Sequence, residues 1–250
     1  MSNQFRNILA VCLLIFFAKP ILTNVQADSI LEVGQFSVSA PKDQISEHWQ
    51  PLTFKKIENH TTYELVEKNG KTVIKAESKA SASGLIREIS IDLGKYPWIA
   101  WSWKVENIFE KGDVTQKEGD DYPARIYITF VYDPDRLSFF ERVKYKAASL
   151  FYGQNPPHAA INYIWASKAP VGTILPNPYT DRVKMIVVES GGENIGVWQN
   201  EKRNVYKDYE NAFGEKPPMI SGVAIMTDSD DTGESAVAYY GDILFMAEPR

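Results

Sequence analysis

The stretch "TTYELVEKNGKTVIKAES", residues 61–78, contains two runs of alternating apolar and polar residues on either side of Asn69-Gly70. Asn-Gly favours a two-residue turn between antiparallel strands, because both residues adopt positive φ at little cost. Alternation with a period of two sends successive side chains to opposite faces of a strand. The stretch therefore predicts a β-hairpin, and it points to a protein built from antiparallel strands.

The same alternation recurs along most of the remaining chain. In "WIAWSWKVENI" it puts Ile99, Trp101, Trp103 and Val105 on one face, and it continues in "GLIREISIDLG", "ARIYITFVYD", "AAINYIWAS", "VKMIVVES", "ISGVAIMTD" and "AVAYYGDILFMAE". Many short strands separated by turn residues are typical of sandwiches and barrels. We predict an all-β fold, an antiparallel two-sheet jelly-roll-like sandwich that forms a single domain over residues 28–250.

Two segments have helical rather than strand periodicity. Apolar residues recur at helical spacing in "DPDRLSFFERVKYKAASLFYG", residues 133–153, and in "NVYKDYENAFGEKPP", residues 204–218. In the second segment Asn204 is suited to cap the helix and Gly214 to end it. We therefore expect one or two short helical insertions beside the sandwich.

The first 27 residues are typical of a signal peptide. Arg6 precedes the apolar run of residues 8–17, and the segment closes on Val25-Gln26-Ala27, a small-x-Ala cleavage pattern. The apolar run is shorter than the ~20 residues that a membrane-spanning helix needs, so an uncleaved anchor is the weaker interpretation. We expect an exported protein of the bacterial periplasm or the extracellular space, without a stable transmembrane anchor after cleavage.

Composition excludes several functions of the exported chain. Its single cysteine, Cys12, lies in the signal peptide, so residues 28–250 contain no disulfide, thiolate metal site or cysteine nucleophile. The net charge is −5, and it becomes −7 once Arg6 and Lys19 are removed with a segment that has no acidic residue. This charge disfavours nucleic acid as a partner, because nucleic-acid binding requires a basic surface.

An acidic stretch, "MTDSDDTGES" at residues 226–235, separates the last two predicted strands. Asp228, Asp230 and Asp231 offer the oxygen ligands that calcium prefers, although the stretch lacks the spacing of an EF-hand loop. The alternative is a tight turn in which Gly233 takes positive φ. We predict a hairpin tip, with calcium as a candidate ligand and no other cofactor expected.

A second polar group begins the strand predicted at "ARIYITFVYD". Arg125 and Tyr127 lie on the face opposite its apolar residues, and Asp121 precedes the strand. An outward arginine beside a tyrosine suits recognition of a carboxylate or a diol. The alternative is a structural ion pair between Asp121 and Arg125.

Three further residues are candidates for ligand binding. Tyr163 and Trp165 share one face of "NYIWAS", where they form a stacking platform for a sugar if that face is open and core packing if it is not. Arg203 precedes the second helical segment, where a solvated charge at a capped helix is the alternative interpretation.

Several motifs resemble those of a bacterial family of exported proteins, domain of unknown function 3047. They are "SASGL", "WSWKV", "GDDYPARIY", "NYIWA", "NPYTDR", "RNVYKDY" and "GVAIMTDSDDTGESAVAYYGDI", and they cover essentially all of the chain after the signal peptide. The resemblance implies export and a jelly-roll-like sandwich, and it supplies no activity. The order of elements is also similar to carbohydrate-binding and galactose-binding-like sandwiches.

These observations favour a non-catalytic envelope protein that binds a saccharide or a similar polar small molecule. The first alternative is a polysaccharide lyase or glycoside hydrolase, with Asp121, Asp228 and Asp230 as candidate carboxylates and Arg125 with Tyr163 as a candidate lyase pair. The second alternative is a structural or assembly component of the envelope, which predicts an exposed apolar patch instead of a pocket.

Overall fold

The computed structural model describes residues 29–131 and 159–248, and two β-sheets packed face to face account for most of them. The first sheet contains β1 (Ile30–Gly34), β3 (Thr62–Lys68), β4 (Lys71–Lys79), β6 (Trp98–Val105), β11 (Gln199–Asn204) and β13 (Ser235–Met246). The second contains β2 (Gln50–Leu52), β5 (Ala82–Ile91), β7 (Arg125–Phe130), β8 (Ala160–Ala166), β9 (Ile174–Asn177), β10 (Thr180–Ser190) and β12 (Ile220–Asp228). The predicted sandwich is confirmed.

The strand orders show how distant parts of the sequence meet. The first sheet runs β11-β6-β13-β4-β3, and β1 also pairs with β13. The second runs β2-β5-β12-β7-β8-β10-β9, and it is mixed because β8 pairs with β10 in parallel. The second sheet therefore contains one parallel pair, while the other described pairs of both sheets are antiparallel, as predicted. Parallel neighbours need a long connection rather than a hairpin, and the chain makes this one through β9.

The hydrophobic core lies between the sheets and contains most of the apolar faces that the sequence predicts. Ile99, Trp101, Trp103 and Val105 of β6 are all buried, and they alternate with half-buried residues. The predicted hairpin is β3 and β4, and its turn residues Asn69 and Gly70 have φ values of 53° and 77°. Local alternation and turn chemistry therefore decide these elements.

The second helical segment is the helix α1 (Val205–Phe213). The Asn204 side chain accepts a hydrogen bond from the backbone N–H of Lys207, and Gly214 ends the helix with φ 76°. Val205 and Tyr209 are fully buried against the sandwich, as the predicted apolar stripe requires. The prediction of α1 is confirmed at both ends.

The acidic stretch is not a hairpin tip. β12 belongs to the second sheet and β13 to the first, so residues 229–234 cross from one sheet to the other. The crossing is tied to its surroundings, because the Ser229 N–H donates to the Ser81 carbonyl at 2.9 Å. The sequence shows two adjacent strands but not that they pair with different partners.

Two sequence predictions fall outside the described residues, namely the signal peptide at residues 1–27 and the helix at residues 133–153. Within residues 29–131 and 159–248, no helix is long and apolar enough to cross a membrane.

Candidate functional site

Arg125 lies at the start of β7, on the face that points away from the partner sheet, as predicted. It is nevertheless only 4% exposed, and its guanidinium forms an ion pair with the carboxylate of Asp228 rather than with Asp121. The guanidinium carbon also lies 5.1 Å from the ring centre of Tyr122 and 5.4 Å from that of Tyr127. Arg125 is therefore held by an ion pair and two aromatic rings.

A buried network surrounds this ion pair. The Tyr122 hydroxyl donates to Asp120 at 2.9 Å, and the Asn177 amide donates to the other oxygen of Asp120 at 2.6 Å. Burial raises the pKa of Asp120, and the positive charge of Arg125 opposes this rise. Burial likewise raises the pKa of Tyr127. The network anchors the outer face of the second sheet, and the ligand-binding role of Arg125 and Tyr127 stays a prediction.

Asp121 anchors residues 229–234, the acidic segment that crosses from one sheet to the other. Its two carboxylate oxygens accept hydrogen bonds from the backbone N–H groups of Asp231, at 3.3 Å, and of Thr232, at 2.5 Å. Asp121 is 1% exposed, so these bonds form away from water and are costly to lose. The sequence separation of more than a hundred residues explains why no local pattern reveals this contact.

The residues that could hold a cation differ from those expected. One ligand oxygen from each of Asp121, Asp230 and Asp231 lies within 4.8 Å of the others, whereas the Asp228 carboxylate is paired with Arg125. Burial raises the pKa of both Asp230 and Asp231, and the negative charge of Asp121 adds to both shifts. At Asp231 a hydrogen bond from the Tyr179 hydroxyl opposes the rise. Asp228 is thus replaced by Asp121 in the candidate calcium set.

Tyr163 and Trp165 face the core rather than an open surface. Both are fully buried, and the Tyr163 ring stacks on Trp101 with a centroid distance of 5.3 Å. The Tyr163 hydroxyl donates a hydrogen bond to Asp208 at 2.8 Å. The Arg203 guanidinium donates two hydrogen bonds to the same carboxylate, at 3.0 and 2.7 Å. Tyr163 and Arg203 therefore join α1 to both sheets. Trp165 packs beside Trp103 in the core, with a centroid distance of 6.0 Å, so the expectation of an open sugar platform at Trp165 was wrong.

An open groove of about 660 Å³ lies on the outer face of the first sheet. We call it the outer-face groove, and its main polar and aromatic lining residues are Ser37, Lys68, Asn69, Lys71, Thr72, Ser102, Trp198, Asn200, Glu201, Lys202, Gly241 and Asp242. Ser102 lies opposite Asn200 in the pairing of β6 with β11. The groove thus collects residues from β3, β4, β6, β11 and β13.

A bulge in β13 shapes the middle of this groove. Tyr240 pairs with Trp103 and Ile243 with Trp101, so Gly241 and Asp242 together oppose the single residue Ser102. A Cβ atom at position 241 would overlap the Ser102 hydroxyl, which would have to rotate away, so the two strands approach closely at this bulge. A bulge of this kind redirects a side chain. The Asp242 carboxylate points outward and accepts bonds from the backbone N–H of Ser37, at 2.9 Å, and from its hydroxyl, at 2.5 Å.

Aromatic and cationic side chains flank the bulge. The rings of Trp198 and Tyr239 lie 6.5 Å apart, and the ammonium groups of Lys68 and Lys104 lie 4.5 and 4.7 Å from the Tyr239 ring centre. Trp198 is half-buried and lines the groove. Sequence reasoning missed these residues, and the one available signal was the irregular stretch Gly241-Asp242 within an alternating strand.

The comparisons with known proteins give one family match. The family described as "Protein of unknown function (DUF3047)" matches residues 47–244. No curated protein sequence matches the chain.

Three solved structures are similar to the chain at low identity. The Emp47p carbohydrate recognition domain is 11% identical with a TM-score of 0.43, and the match covers 88% of this chain and 95% of that one. The cellulose induced protein Cip1 is 11% identical with a TM-score of 0.32, over 80% and 91% of the two chains. The glycoside hydrolase domain Spr0440, Endo-D from Streptococcus pneumoniae R6, is 10% identical with a TM-score of 0.35; the match covers 81% of this chain but only 22% of that one.

Proposed function

The chain belongs to the DUF3047 family of proteins of unknown function, and we propose that it is a non-catalytic binding protein of the cell envelope that holds a saccharide in the outer-face groove. The observation that carries the proposal is the groove itself, with Trp198 beside hydroxyl, amide and charged side chains on a rigid sheet. Ligand sites are commonly clefts of about 300–1,000 Å³ with aromatic side chains and a few polar groups that fix orientation.

The groove offers the two kinds of contact that a sugar ring requires. Trp198 presents an amphipathic ring for the apolar face of a pyranose. Ser102 and Asn200 lie opposite each other on neighbouring strands and supply a hydroxyl and an amide for sugar hydroxyl groups. Both strands belong to a sheet whose inner face is packed in the core, so these groups are positioned before a ligand arrives.

The geometry favours binding over the catalytic alternatives. Asp228 is paired with Arg125, and Asp121 accepts hydrogen bonds from backbone N–H groups; each of the two aspartates is at most 2% exposed. The candidate lyase pair does not share a pocket, because Tyr163 lies opposite Ile126 in the core while Arg125 points to the other face of β7. A purely structural envelope component is expected to have no concave pocket, so the groove also argues against that alternative.

Export remains part of the proposal and is supported by the sequence of residues 1–27 alone. A protein that acts on envelope saccharides must reach the periplasm or the outside of the cell. Fractionation of the native host with an antibody to the chain tests this step, and recovery of the protein in the cytoplasm with residues 1–27 intact contradicts it.

The binding proposal is tested with Trp198→Ala and a glycan array, followed by isothermal titration with each saccharide that binds. Wild type should bind at least one saccharide, and Trp198→Ala should weaken that binding by about 1–3 kcal/mol, the value of one buried aromatic contact. Phe54→Ala is the matched control, because Phe54 is 37% exposed and does not line the groove. Wild type that binds no saccharide, or equal binding by all three proteins, overturns the proposal.

A further inference from the structure

The outer-face groove is cationic in a chain whose net charge is −5. Lys68, Lys71 and Lys202 line it, and in residues 29–131 and 159–248 none of the three forms an ion pair with an acidic side chain. They come from three separate strands, so the sheet order brings them together. Two other lysines of this sheet are paired, since Lys75 contacts Glu64 and Glu77 and Lys104 contacts Glu106.

One carboxylate opposes this charge in the groove. It belongs to Asp242, which accepts two hydrogen bonds from Ser37. Glu201 also borders the groove, but it pairs with Trp101, whose side chain lies in the core, so its carboxylate points to the inner face of the sheet toward Glu189. Three ammonium groups that have no acidic partner in the described part of the chain therefore share the groove with one carboxylate.

Positive charge concentrated in a groove attracts anions and raises their local concentration. The lysine ammonium is a compact charge on a flexible stem, which suits carboxylates spaced along a chain better than a single fixed anion. Lys68 lies over the ring of Tyr239, and the Tyr239 ring lies 6.5 Å from the ring of Trp198, so cationic and aromatic side chains adjoin on this face of the sheet.

We propose that the ligand of the outer-face groove is an acidic oligosaccharide of the uronic acid class, with its ring carboxylates near Lys68, Lys71 and Lys202. This inference rests on the proposed saccharide function and adds the charge of the ligand. The matched probes are an oligogalacturonate and its fully methyl-esterified counterpart, which share one sugar backbone and differ in charge.

Isothermal titration with both probes tests the proposal on the full chain. Wild type should bind oligogalacturonate more tightly than the ester, and added NaCl should weaken that binding because exposed charges are screened. The double variant Lys68→Gln/Lys202→Gln should lose on the order of tenfold in affinity for oligogalacturonate, from two exposed charge contacts. Its affinity for the ester should be unchanged, and Lys56→Gln, in an exposed loop outside the groove, should behave as wild type.

Four outcomes overturn the inference. Tighter binding of the ester, or equal binding of both probes, shows that charge does not select the ligand but leaves the saccharide function standing. Equal losses with Lys56→Gln place the charge effect outside the groove. Binding of poly-L-glutamate as tight as that of oligogalacturonate shows that any polyanion suffices. Binding of neither saccharide removes the proposed function together with the inference.

Discussion

Arg125 and Asp228 form an ion pair whose side chains are only 4% and 3% exposed. Arg125 begins β7 and Asp228 ends β12, so the pair closes the end of two neighbouring strands. Two charges removed from water must stabilise each other, because either one alone in the interior is strongly unfavourable. The sandwich therefore depends on both partners at this position.

Asp228→Ala should lower the free energy of unfolding by about 3–5 kcal/mol, because it leaves the Arg125 charge buried without its carboxylate. Urea denaturation followed by tryptophan fluorescence measures this loss. Lys75→Gln is the control, since the Lys75 side chain is 23% exposed and its ion pairs should contribute no more than about 1 kcal/mol. A loss below that of the control would contradict a structural role for the Arg125–Asp228 pair.

The elements that the sequence predicts well are those with local signals. The β3–β4 hairpin follows from Asn69-Gly70, β6 follows from its alternation, and α1 follows from its cap at Asn204. Each signal lies within about ten residues of the structure that it specifies. Local pattern is therefore sufficient for strands, turns and caps.

The candidate site depends on strand order, which local pattern does not encode. Trp198 and Lys68 meet around Tyr239 because β11 and β3 belong to the same sheet, although 130 positions separate them. An ion pair of Arg125 with nearby Asp121 was one of two interpretations, but the distant Asp228 is its partner. Alternation correctly placed Tyr163 and Trp165 on one face, and only the packing of the two sheets shows that this face is buried.

Asp121→Asn should destabilise the protein by about 1–3 kcal/mol, the cost of an unsatisfied buried hydrogen-bonding group. The aspartate accepts from two backbone N–H groups, whereas one end of an asparagine amide is a donor and cannot accept. Thermal and urea unfolding measure the effect. Glu118→Gln, which removes an exposed carboxylate from the same loop, should change stability little, and equal effects of the two variants would contradict the anchoring role of Asp121.

Asp230→Ala should change the melting temperature by the same amount in calcium and in a chelator. One converging oxygen from each of three carboxylates is fewer than the six to eight oxygen ligands that calcium takes, and two of these carboxylates already accept hydrogen bonds from protein groups. Differential scanning fluorimetry checks this outcome. A calcium-dependent rise in melting temperature that Asp230→Ala abolishes would instead assign the cation site to Asp121, Asp230 and Asp231.

Glu201 should make stability fall as pH rises toward neutrality. Burial and the Glu189 charge raise its pKa in the folded chain from 4.5 to about 7, so folding takes up a proton between these values. The stabilisation is complete below pH 4.5 and is lost as pH rises through about 7. Glu201→Gln should therefore flatten the decline in melting temperature between pH 5 and 8 that this group causes. At pH 8 the melting temperature of the variant should exceed that of wild type.

Glu189→Gln separates the two causes of this shift. It removes the neighbouring negative charge and leaves Glu201 buried, so the decline in melting temperature should persist but should be smaller and end at a lower pH than in wild type. Melting curves of the three proteins across the same buffers make the comparison. Identical pH profiles for Glu201→Gln and wild type would show that Glu201 titrates alike in the folded and unfolded chains, and would contradict a raised pKa of Glu201 in the folded chain.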